Sequence, residues 1–420
     1  MTKKLWIIFA VAFLGRLILS FIVWHPDINN HIDWGIRFWQ YGPAKFFAPE
    51  TNVWSYTWPN QPPGTIYMFA GIRKLFEFIF NIFWVINIKI PAFPSGIVTF
   101  FESNLYSALL KLPSILADIG IAYLLYKLTK KTWAAVLWLI NPVVWYNSAV
   151  WGQTDAIISF LSFLAFYLLV VKKKVFWAVL ALVLCFYVKI SLFIFLPIFL
   201  IVLVRQKYPA QRLVVSVVGP LLLIGVLTLP FSQGEPFSWL LSLYQNKVLG
   251  QQLQVITANA FNFWAGIAGI HERPQVLPFL GLTYQYWGYI LSGLSFLPIL
   301  YSVWKKQDQK TVIWALALTA FSSWMLLTNM HERYLYPLFP YLTALVFMSS
   351  VGMVEYWAIS LISLLNLYNF WWVPEVRILK EFLSFGDRLM PRILGAVNFI
   401  LYLLVYIKGY RQNRLGRKSD

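Results

Sequence analysis

Long apolar stretches recur from one end of the chain to the other, and they constrain its fold more than any other feature. A bilayer core of roughly 30 Å needs about 20 apolar helical residues to cross it. Apolar residues make up 60% of the 420 positions and charged residues only 12%, and the mean hydropathy of +0.65 is too high for a water-exposed surface. The sequence therefore predicts an all-α, polytopic integral membrane protein with about 12 transmembrane helices, near 5–24, 104–127, 132–149, 154–171, 175–187, 190–204, 213–230, 286–304, 311–328, 335–350, 352–369 and 391–407.

The first stretch, 5–24, follows Lys3 and Lys4 as the apolar part of a signal peptide would. It lacks a small-residue cleavage site and is about 20 residues long, which favours a retained first span. The single cysteine, Cys185, lies inside another apolar stretch. A disulfide framework and a cysteine-based metal site are therefore excluded.

The basic residues predict the orientation of these spans. The formal net charge is +18, but the basic residues form short clusters between apolar stretches rather than a patch for nucleic acid. More than half of the 34 Lys and Arg residues fall on one side of the spans, with only two acids, Asp308 and Asp420. Because positively charged loops stay in the cytoplasm, both termini are predicted to be cytoplasmic. The clusters are Lys3–Lys4, Lys127–Lys131, Lys172–Lys174, Arg205–Arg212, Lys305–Lys310 and Lys408–Lys418.

Three long connecting segments, 25–103, 231–285 and 370–390, fall on the opposite side and leave space for chemistry. In the first of them, Ile66 to Trp84 mixes aromatic and aliphatic residues with three charges, which favours an amphipathic helix lying along the membrane interface. We interpret 1–410 as one transmembrane domain.

The C-terminal residues 411–420 are predicted to form a basic cytoplasmic tail. No Asn-x-Ser/Thr acceptor occurs, which favours a bacterial or archaeal membrane over the secretory pathway. We predict an integral protein of a bacterial plasma membrane.

Several common catalytic motifs are absent from the chain. There is no Walker A sequence, no GxGxxG, no HExxH and no Asp-x-Asp pair that would hold a metal-bound nucleotide. These absences argue against a cytoplasmic nucleotide-driven enzyme. Polar and ionisable residues concentrate instead in four clusters on the non-cytoplasmic side, where such residues are costly unless they are paired or functional.

The first cluster, 25–34, carries Asp27 and Asp33 directly after the first span. A carboxylate fixed by the neighbouring Pro26 could take a proton from a hydroxyl at the bilayer surface. The alternative is a helix N-cap, because Asp27 precedes a predicted amphipathic helix from about 28 to 41.

The second cluster, 54–64, is a bend rich in aromatic residues and proline, and includes Trp58 and Asn60. Aromatic faces and amides suit a sugar or another polyol, whereas an interfacial aromatic belt explains the rings equally well. The third cluster contains Gln153 and Asp155 after Gly152, which permits a tight turn. Its alternative is a helix start capped by Thr154 or Asp155.

The fourth cluster is Asn329 to Tyr334, where three adjacent ionisable residues, His331, Glu332 and Arg333, lie between two apolar stretches. An arginine binds phosphate oxygens with two parallel hydrogen bonds and a histidine can donate beside it, so a headgroup-level phosphate is the natural ligand. Lys189 would add a cation on the same face. A structural pair of Glu332 with Arg333 or with Lys189 is the alternative.

In combination these residues resemble the GT-C superfamily of glycosyltransferases. Within it, the chain looks most like the mannosyltransferases related to GPI mannosyltransferase II and the endoplasmic-reticulum glucosyltransferases of N-glycan assembly. The resemblance covers residues 1 to about 345, and Arg333 stands where lysine is commoner. The matching elements are Asp27 with Trp34, Pro62–Pro63, Leu112–Pro113 with Asp118, Asn141–Pro142, Trp151–Asp155, Ala258–Trp264 and His331–Arg333.

The resemblance implies a hexosyltransferase, of mannose or glucose, with a polyprenyl-phosphate sugar donor and a lipid-linked or other membrane-associated acceptor on the non-cytoplasmic face. It implies an inverting, metal-independent mechanism without a soluble cofactor. Asp27 would be the catalytic base, with Asp33 as the fallback. The donor phosphate would be bound by Arg333, His331 and Lys189. The acceptor or the sugar would be bound by Gln153, Asp155, Trp58 and Asn60.

Two other classes of protein compete with this interpretation. A secondary transporter or flippase of a polar or lipid-linked substrate predicts broken helices and charges near the bilayer midplane. Arg16, deep in the first span, is one such charge, for which a buried pair with Asp118 is expected. A membrane scaffold would not need four polar clusters on one side.

Overall fold

The structure is a computed structural model that describes residues 3–51, 54–250 and 253–415, and these residues are mostly helical, with almost no strand. The all-α prediction is confirmed. The helices of the first half are α1 Lys3–Ile22, α2 Ile28–Tyr41, α3 Pro43–Phe46, α4 Pro63–Lys89, α5 Ser95–Thr129, α6 Thr132–Ile140, α7 Pro142–Trp145, α8 Asp155–Phe166 and α9 Val175–Val188.

The second half continues with helices and one two-stranded hairpin, β1 Pro278–Phe279 with β2 Leu282–Thr283. Its helices are α10 Leu196–Arg205, α11 Ala210–Ser232, α12 Pro236–Leu243, α13 Phe263–Ala268, α14 Tyr284–Lys305, α15 Gln309–Leu326, α16 Leu338–Phe347, α17 Met353–Tyr368 and α18 Arg377–Leu415. Short π-helical turns span Tyr146–Trp151, Tyr167–Val171 and Tyr244–Leu249, and 3-10 turns span Pro49–Thr51, Ile190–Phe195 and Glu332–Leu335.

Every predicted span overlaps one of these helices. Among the described residues, five helices are long and apolar enough to cross a membrane, and four shorter apolar helical segments accompany them. The count of about 12 crossings stays a prediction. The five are Lys3–Ile22, Ser95–Thr129, Ala210–Ser232, Tyr284–Lys305 and Arg377–Arg411. The predicted tail 411–420 partly continues α18, and its residues 416–420 lie outside the described part.

The predicted amphipathic helix after the first span is confirmed as α2. Its apolar face, with Trp34 and Phe38, packs on Phe69 and its neighbours in α4 and forms a second, smaller core. The stretch predicted to lie along the interface, Ile66 to Trp84, is helical as part of α4.

The main core surrounds α15, in which every residue from Thr311 to Leu326 is buried. A helix that is apolar on all sides must be covered on all sides. Here α14, α16 and α18 pack directly against it. The candidate site lies where the loops leaving this core meet the smaller core of α2 and α4.

One buried polar network ties the helices together, and it contains the expected pair. Arg16 Nε lies 3.3 Å from Asp118 Oδ2, which confirms the predicted partner. The same carboxylate accepts hydrogen bonds of 2.6 Å from Ser148 Oγ and 2.6 Å from Tyr336 OH, while Arg16 donates to the Leu139 carbonyl at 2.8 Å. Such saturation is what a buried charge requires.

Removing one partner of this network should be far more harmful than replacing the ion pair. We expect Asp118→Ala to lower the free energy of unfolding by about 3 to 5 kcal/mol, because it leaves Arg16 charged and unpaired in the core. The double variant Arg16→Met with Asp118→Leu should recover part of that loss. Thermal unfolding of the purified protein checks both, and a double variant no more stable than Asp118→Ala would contradict the account.

Candidate active site

The site begins where α1 ends and the chain turns through His25 and Pro26 into α2. Asp27 occupies the N-cap position of α2, but its carboxylate makes no capping hydrogen bond to the helix backbone. It accepts instead from Trp151 Nε1 at 3.1 Å, from Gln153 Nε2, and from Asn30 Nδ2 at 3.0 Å. The capping alternative does not account for this side chain.

Two of these donors come from the turn between α7 and α8. The π-helical turn ends at Trp151, and Gly152 follows with a φ of +83°. A Cβ on Gly152 would lie 2.7 Å from Ile28 and 2.9 Å from Lys111, so only glycine fits this turn. Neither Thr154 nor Asp155 makes a capping hydrogen bond through its side chain to the start of α8.

Arg333 lies in the 3-10 turn before α16. Its NH1 group is 3.2 Å from Glu332 Oε1, so the structural pair left open by the sequence is present. The pair does not use the whole guanidinium: Arg333 Nε is buried and has no hydrogen-bond partner among the described residues. Arg333 therefore retains a donor for a ligand. The other proposed pair, of Glu332 with Lys189, is wrong because Lys189 Nζ lies 2.8 Å from Asp155 Oδ1.

Two cavities of different character meet at this arginine. The larger one, of about 870 Å³, is lined mainly by polar residues. The smaller one, of about 270 Å³, is mostly apolar, with Ile190, Leu192, Ile194, Leu327 and Pro337 among its walls. The residues that line both cavities are Asn60, Gln61, Arg333 and Tyr334.

Most of the predicted site residues line one cavity or the other. Asp27, Gln153 and His331 line the polar cavity, whereas Lys189 and Asp155 line the apolar one. Lys189 and Asp155 are paired with each other, so neither is a free charge. Gln153 bonds to Asp27 through its amide and therefore orients the carboxylate.

Two predicted site residues, Asp33 and Trp58, line neither cavity. Asp33 lies 2.7 Å from Arg37 Nε and also accepts from Ser55 N at 3.2 Å, which gives it a structural role. Trp58 lies under the ammonium of Lys247, 4.3 Å from its ring centroid. The geometry thus favours Asp27 over Asp33 and assigns Trp58 to packing.

The charges around Asp27 determine its protonation. Burial by itself would raise the pKa of Asp27, but the nearby Arg333 guanidinium, with smaller contributions from His31 and His25, holds that pKa below its usual value. Burial would likewise lower the pKa of Arg333, yet the Glu332 and Asp27 carboxylates raise it. Asp27 is therefore an anion, and Arg333 a cation, at neutral pH.

Three histidines near this charge pair are neutral. Burial lowers the pKa of His25 to about 3, that of His31 to about 4 and that of His331 to about 3, and the cation of Arg333 adds to each shift. His331 can therefore donate from one ring nitrogen without carrying a charge.

Sequence reasoning missed several residues that build the site. His31 lines the polar cavity and stacks on Phe69, and Trp151 donates to Asp27. Both lie in clusters that the sequence singled out, but nothing in the spacing distinguished them from their neighbours. Trp371, whose ring centroid lies 4.8 Å from that of His25 and which lines the cavity, comes from the last quarter of the chain.

Lys111 is the missed residue that the sequence did signal, because it is a lysine within the apolar part of α5. It is fully buried, and its Nζ donates to the carbonyls of Val23 at 2.5 Å and Ser20 at 3.4 Å. A lysine that binds the last carbonyls of a helix stabilises that helix end. Lys111 therefore fixes the point from which the chain turns towards Asp27.

No known protein family matches the chain, and a search of curated proteins finds no similar sequence. Within the described residues, no group of three or more His, Cys, Asp or Glu side chains is placed to hold a metal ion.

The neutral histidines predict a pH dependence of stability. Their folded-state pKa values lie below the ordinary 6.5, so between about pH 6.5 and pH 4 the unfolded chain binds more protons and stability falls as the pH falls. Replacing His31 with Gln should reduce that dependence by up to about 1.4 kcal/mol per pH unit. Thermal unfolding from pH 7 to pH 4.5 measures it, and parallel curves for the variant and the wild type would contradict the assignment.

Proposed function

We propose that the protein is a membrane glycosyltransferase that transfers a hexose from a polyprenyl-phosphate donor to a hydroxyl of a membrane-associated acceptor. One observation carries the proposal: a guanidinium with a free donor, Arg333, lies where an apolar cavity meets a polar one, and an ionised carboxylate, Asp27, lines the polar cavity. A polyprenyl-phosphate sugar has the same order of parts, with an apolar chain, a phosphate and a polar sugar.

The apolar cavity suits the first isoprene units next to the phosphate, and the phosphate would bind to Arg333 Nε. His331 would donate a hydrogen bond to the same phosphate. Lys189, which stays paired with Asp155, would add to the positive electrostatic potential at the phosphate. The hexose would then lie in the polar cavity, near Asn60. We place this cavity on the extracytoplasmic face of a bacterial plasma membrane, with both termini in the cytoplasm, on the distribution of basic residues.

In the proposed reaction, the acceptor oxygen attacks the anomeric carbon as the bond from that carbon to the phosphate oxygen breaks. The hydroxyl proton passes to the Asp27 carboxylate, and the polyprenyl phosphate leaves with its added charge stabilised by Arg333. A single displacement of this kind inverts the anomeric configuration. This chain's residues bind, orient and move a proton, and the proposed steps involve no metal.

The low pKa of Asp27 fits this sequence of events. A weak base accepts a proton late, when the attacking hydroxyl has become acidic through bonding to the anomeric carbon. Donor binding also alters the base, because a phosphate on Arg333 offsets the positive charge that lowers the pKa of Asp27. The base therefore becomes stronger when a donor is present.

A transporter or flippase of a lipid-linked substrate is the second candidate. Two features favour it: the charged Lys111 buried within α5 and the break between α6 and α7 at Asn141 and Pro142. Transport would move the intact donor across a membrane, whereas transfer or slow hydrolysis would release polyprenyl phosphate. Incubation with radiolabelled polyprenyl-phosphate mannose and glucose separates the two candidates.

Asp27→Asn tests the proposed base. The amide keeps the size of the side chain but cannot accept the proton, so turnover should fall by roughly 10² to 10⁴ while donor binding is largely kept. Asp33→Asn is the matched control, since it removes a carboxylate from the same helix outside both cavities. If Asp27→Asn turns over donor at the wild-type rate with equal folding, Asp27 is not the base.

Arg333→Gln tests the proposed phosphate contact. A hydrogen bond to a charged group contributes about 1.5 to 3 kcal/mol, so donor affinity should fall by about 10- to 100-fold, with partial recovery in Arg333→Lys. Arg37→Gln is the control, because it removes a guanidinium from the Asp33 ion pair away from the cavities. Equal losses in Arg333→Gln and Arg37→Gln would show that the effect is structural.

A further inference from the structure

The last quarter of the chain, for which the sequence predicted no role in the site, contributes a strained turn to the polar cavity. Helix α18 is interrupted after Phe385, and Gly386, Asp387 and Arg388 all adopt left-handed backbone angles, with φ of +57°, +52° and +63°. Residues other than glycine adopt this conformation rarely, because their Cβ atom lies too close to the following carbonyl oxygen. Strained residues of this kind cluster at functional sites, where the surrounding structure holds them in place.

The turn lies at the mouth of the cavity. Asp387 and Arg388 line the same cavity as Asp27, and His271 and Glu272 line it as well. The side chain of Asp387 is 88% exposed, and its Oδ2 lies 3.6 Å from His271 Nε2. These two segments therefore meet across the opening, where solvent has access.

Two charged side chains at this mouth, those of Arg388 and Glu272, have no partner among the described residues. In the part of the chain that the structure describes, the side chains of Arg388 and Glu272 form no hydrogen bond or ion pair. An arginine donates to hydroxyl oxygens and a carboxylate accepts from hydroxyl groups. Neighbouring hydroxyl groups of a sugar could therefore accept from Arg388 and donate to Glu272. A simple anion would suit this mouth less well, because the nearby Asp387 would repel it.

The cavity also has space for more than the donor sugar. At about 870 Å³ it is in the upper part of the range for sites that enclose whole small molecules. Aromatic side chains, among them Trp34, Phe370 and Trp371, also line this cavity, and aromatic faces pack against the apolar faces of sugar rings.

We propose that the turn 385–388 and the segment 271–272 form an acceptor subsite for a hydroxyl-rich chain that enters from the aqueous side, with Arg388 and Glu272 as its specificity-determining residues. The subsite rests on the proposed function for its role in transfer, but its ability to bind does not depend on catalysis. The strained turn is what points Arg388 at the incoming chain instead of continuing α18.

Direct binding tests the subsite. We would titrate the purified full-length protein with mannotriose and with maltotriose and follow tryptophan fluorescence, because Trp34 and Trp371 line the cavity. At least one trisaccharide should quench the wild type, and Arg388→Gln and Glu272→Gln should each weaken its binding by about 10-fold or more. Arg377→Gln is the matched control, since this arginine in the same helix is 89% exposed and paired with Glu381.

A glycine variant separates binding from folding. Arg388→Gly should relieve the left-handed strain and raise the unfolding temperature, and it should also weaken trisaccharide binding as Arg388→Gln does. A purely structural role would not combine greater stability with weaker binding. The proposal is overturned if neither trisaccharide quenches the wild type, or if Arg388→Gln binds as tightly as the wild type. Donor turnover decides the proposed function separately, so the two failures are distinguishable.

Discussion

The buried carboxylate of Asp118 connects the three chain segments from which the candidate site is built. It pairs with Arg16 in the helix that leads to Asp27, and it accepts from Ser148 in the turn that leads to Trp151. It also accepts from Tyr336, three residues after Arg333. Because a buried carboxylate must keep its partners, these segments cannot move independently, and the relative positions of Asp27 and Arg333 are set from within the helical core.

The charged side chains of the candidate site are also paired with one another. Arg333 forms an ion pair with Glu332 and also interacts electrostatically with Asp27. Lys189 forms an ion pair with Asp155. The histidines that line the polar cavity, His31 and His331, are neutral because burial and the nearby Arg333 and Lys189 cations lower their pKa. In this arrangement the Asp27 carboxylate stays ionised and Arg333 keeps an unused hydrogen-bond donor, while the neighbouring charges are paired.

Much of this could be predicted from the sequence, and the failures have physical causes. The length of the apolar stretches predicted the helices. Arg16, a charged residue inside an apolar stretch, predicted its partner Asp118, since a buried arginine needs a nearby carboxylate. The sequence also singled out the segments of Asp27, Gln153 and Arg333. It could not show that Gln153 donates a hydrogen bond to Asp27 or that Asp33 forms an ion pair with Arg37, because those contacts depend on how the chain folds around them.

The C-terminal turn shows the same limit more strongly. Nothing in 385–388 breaks a helix by its residue types apart from Gly386, and its place at the cavity mouth follows from the packing of α18 against α13 and α15. A charge-bearing segment far along the chain can therefore complete a site whose other parts were visible in the sequence.

We propose that Arg333 receives a lipid phosphate where the apolar and polar cavities meet. The most direct measurement is a structure of the protein in lipid nanodiscs with bound polyprenyl phosphate. We expect a phosphate oxygen about 2.7 to 3.2 Å from Arg333 Nε and isoprene units in the apolar cavity beside Ile190 and Pro337. A phosphate bound away from Arg333, or an isoprene chain lying in the polar cavity beside Asp27, would contradict it.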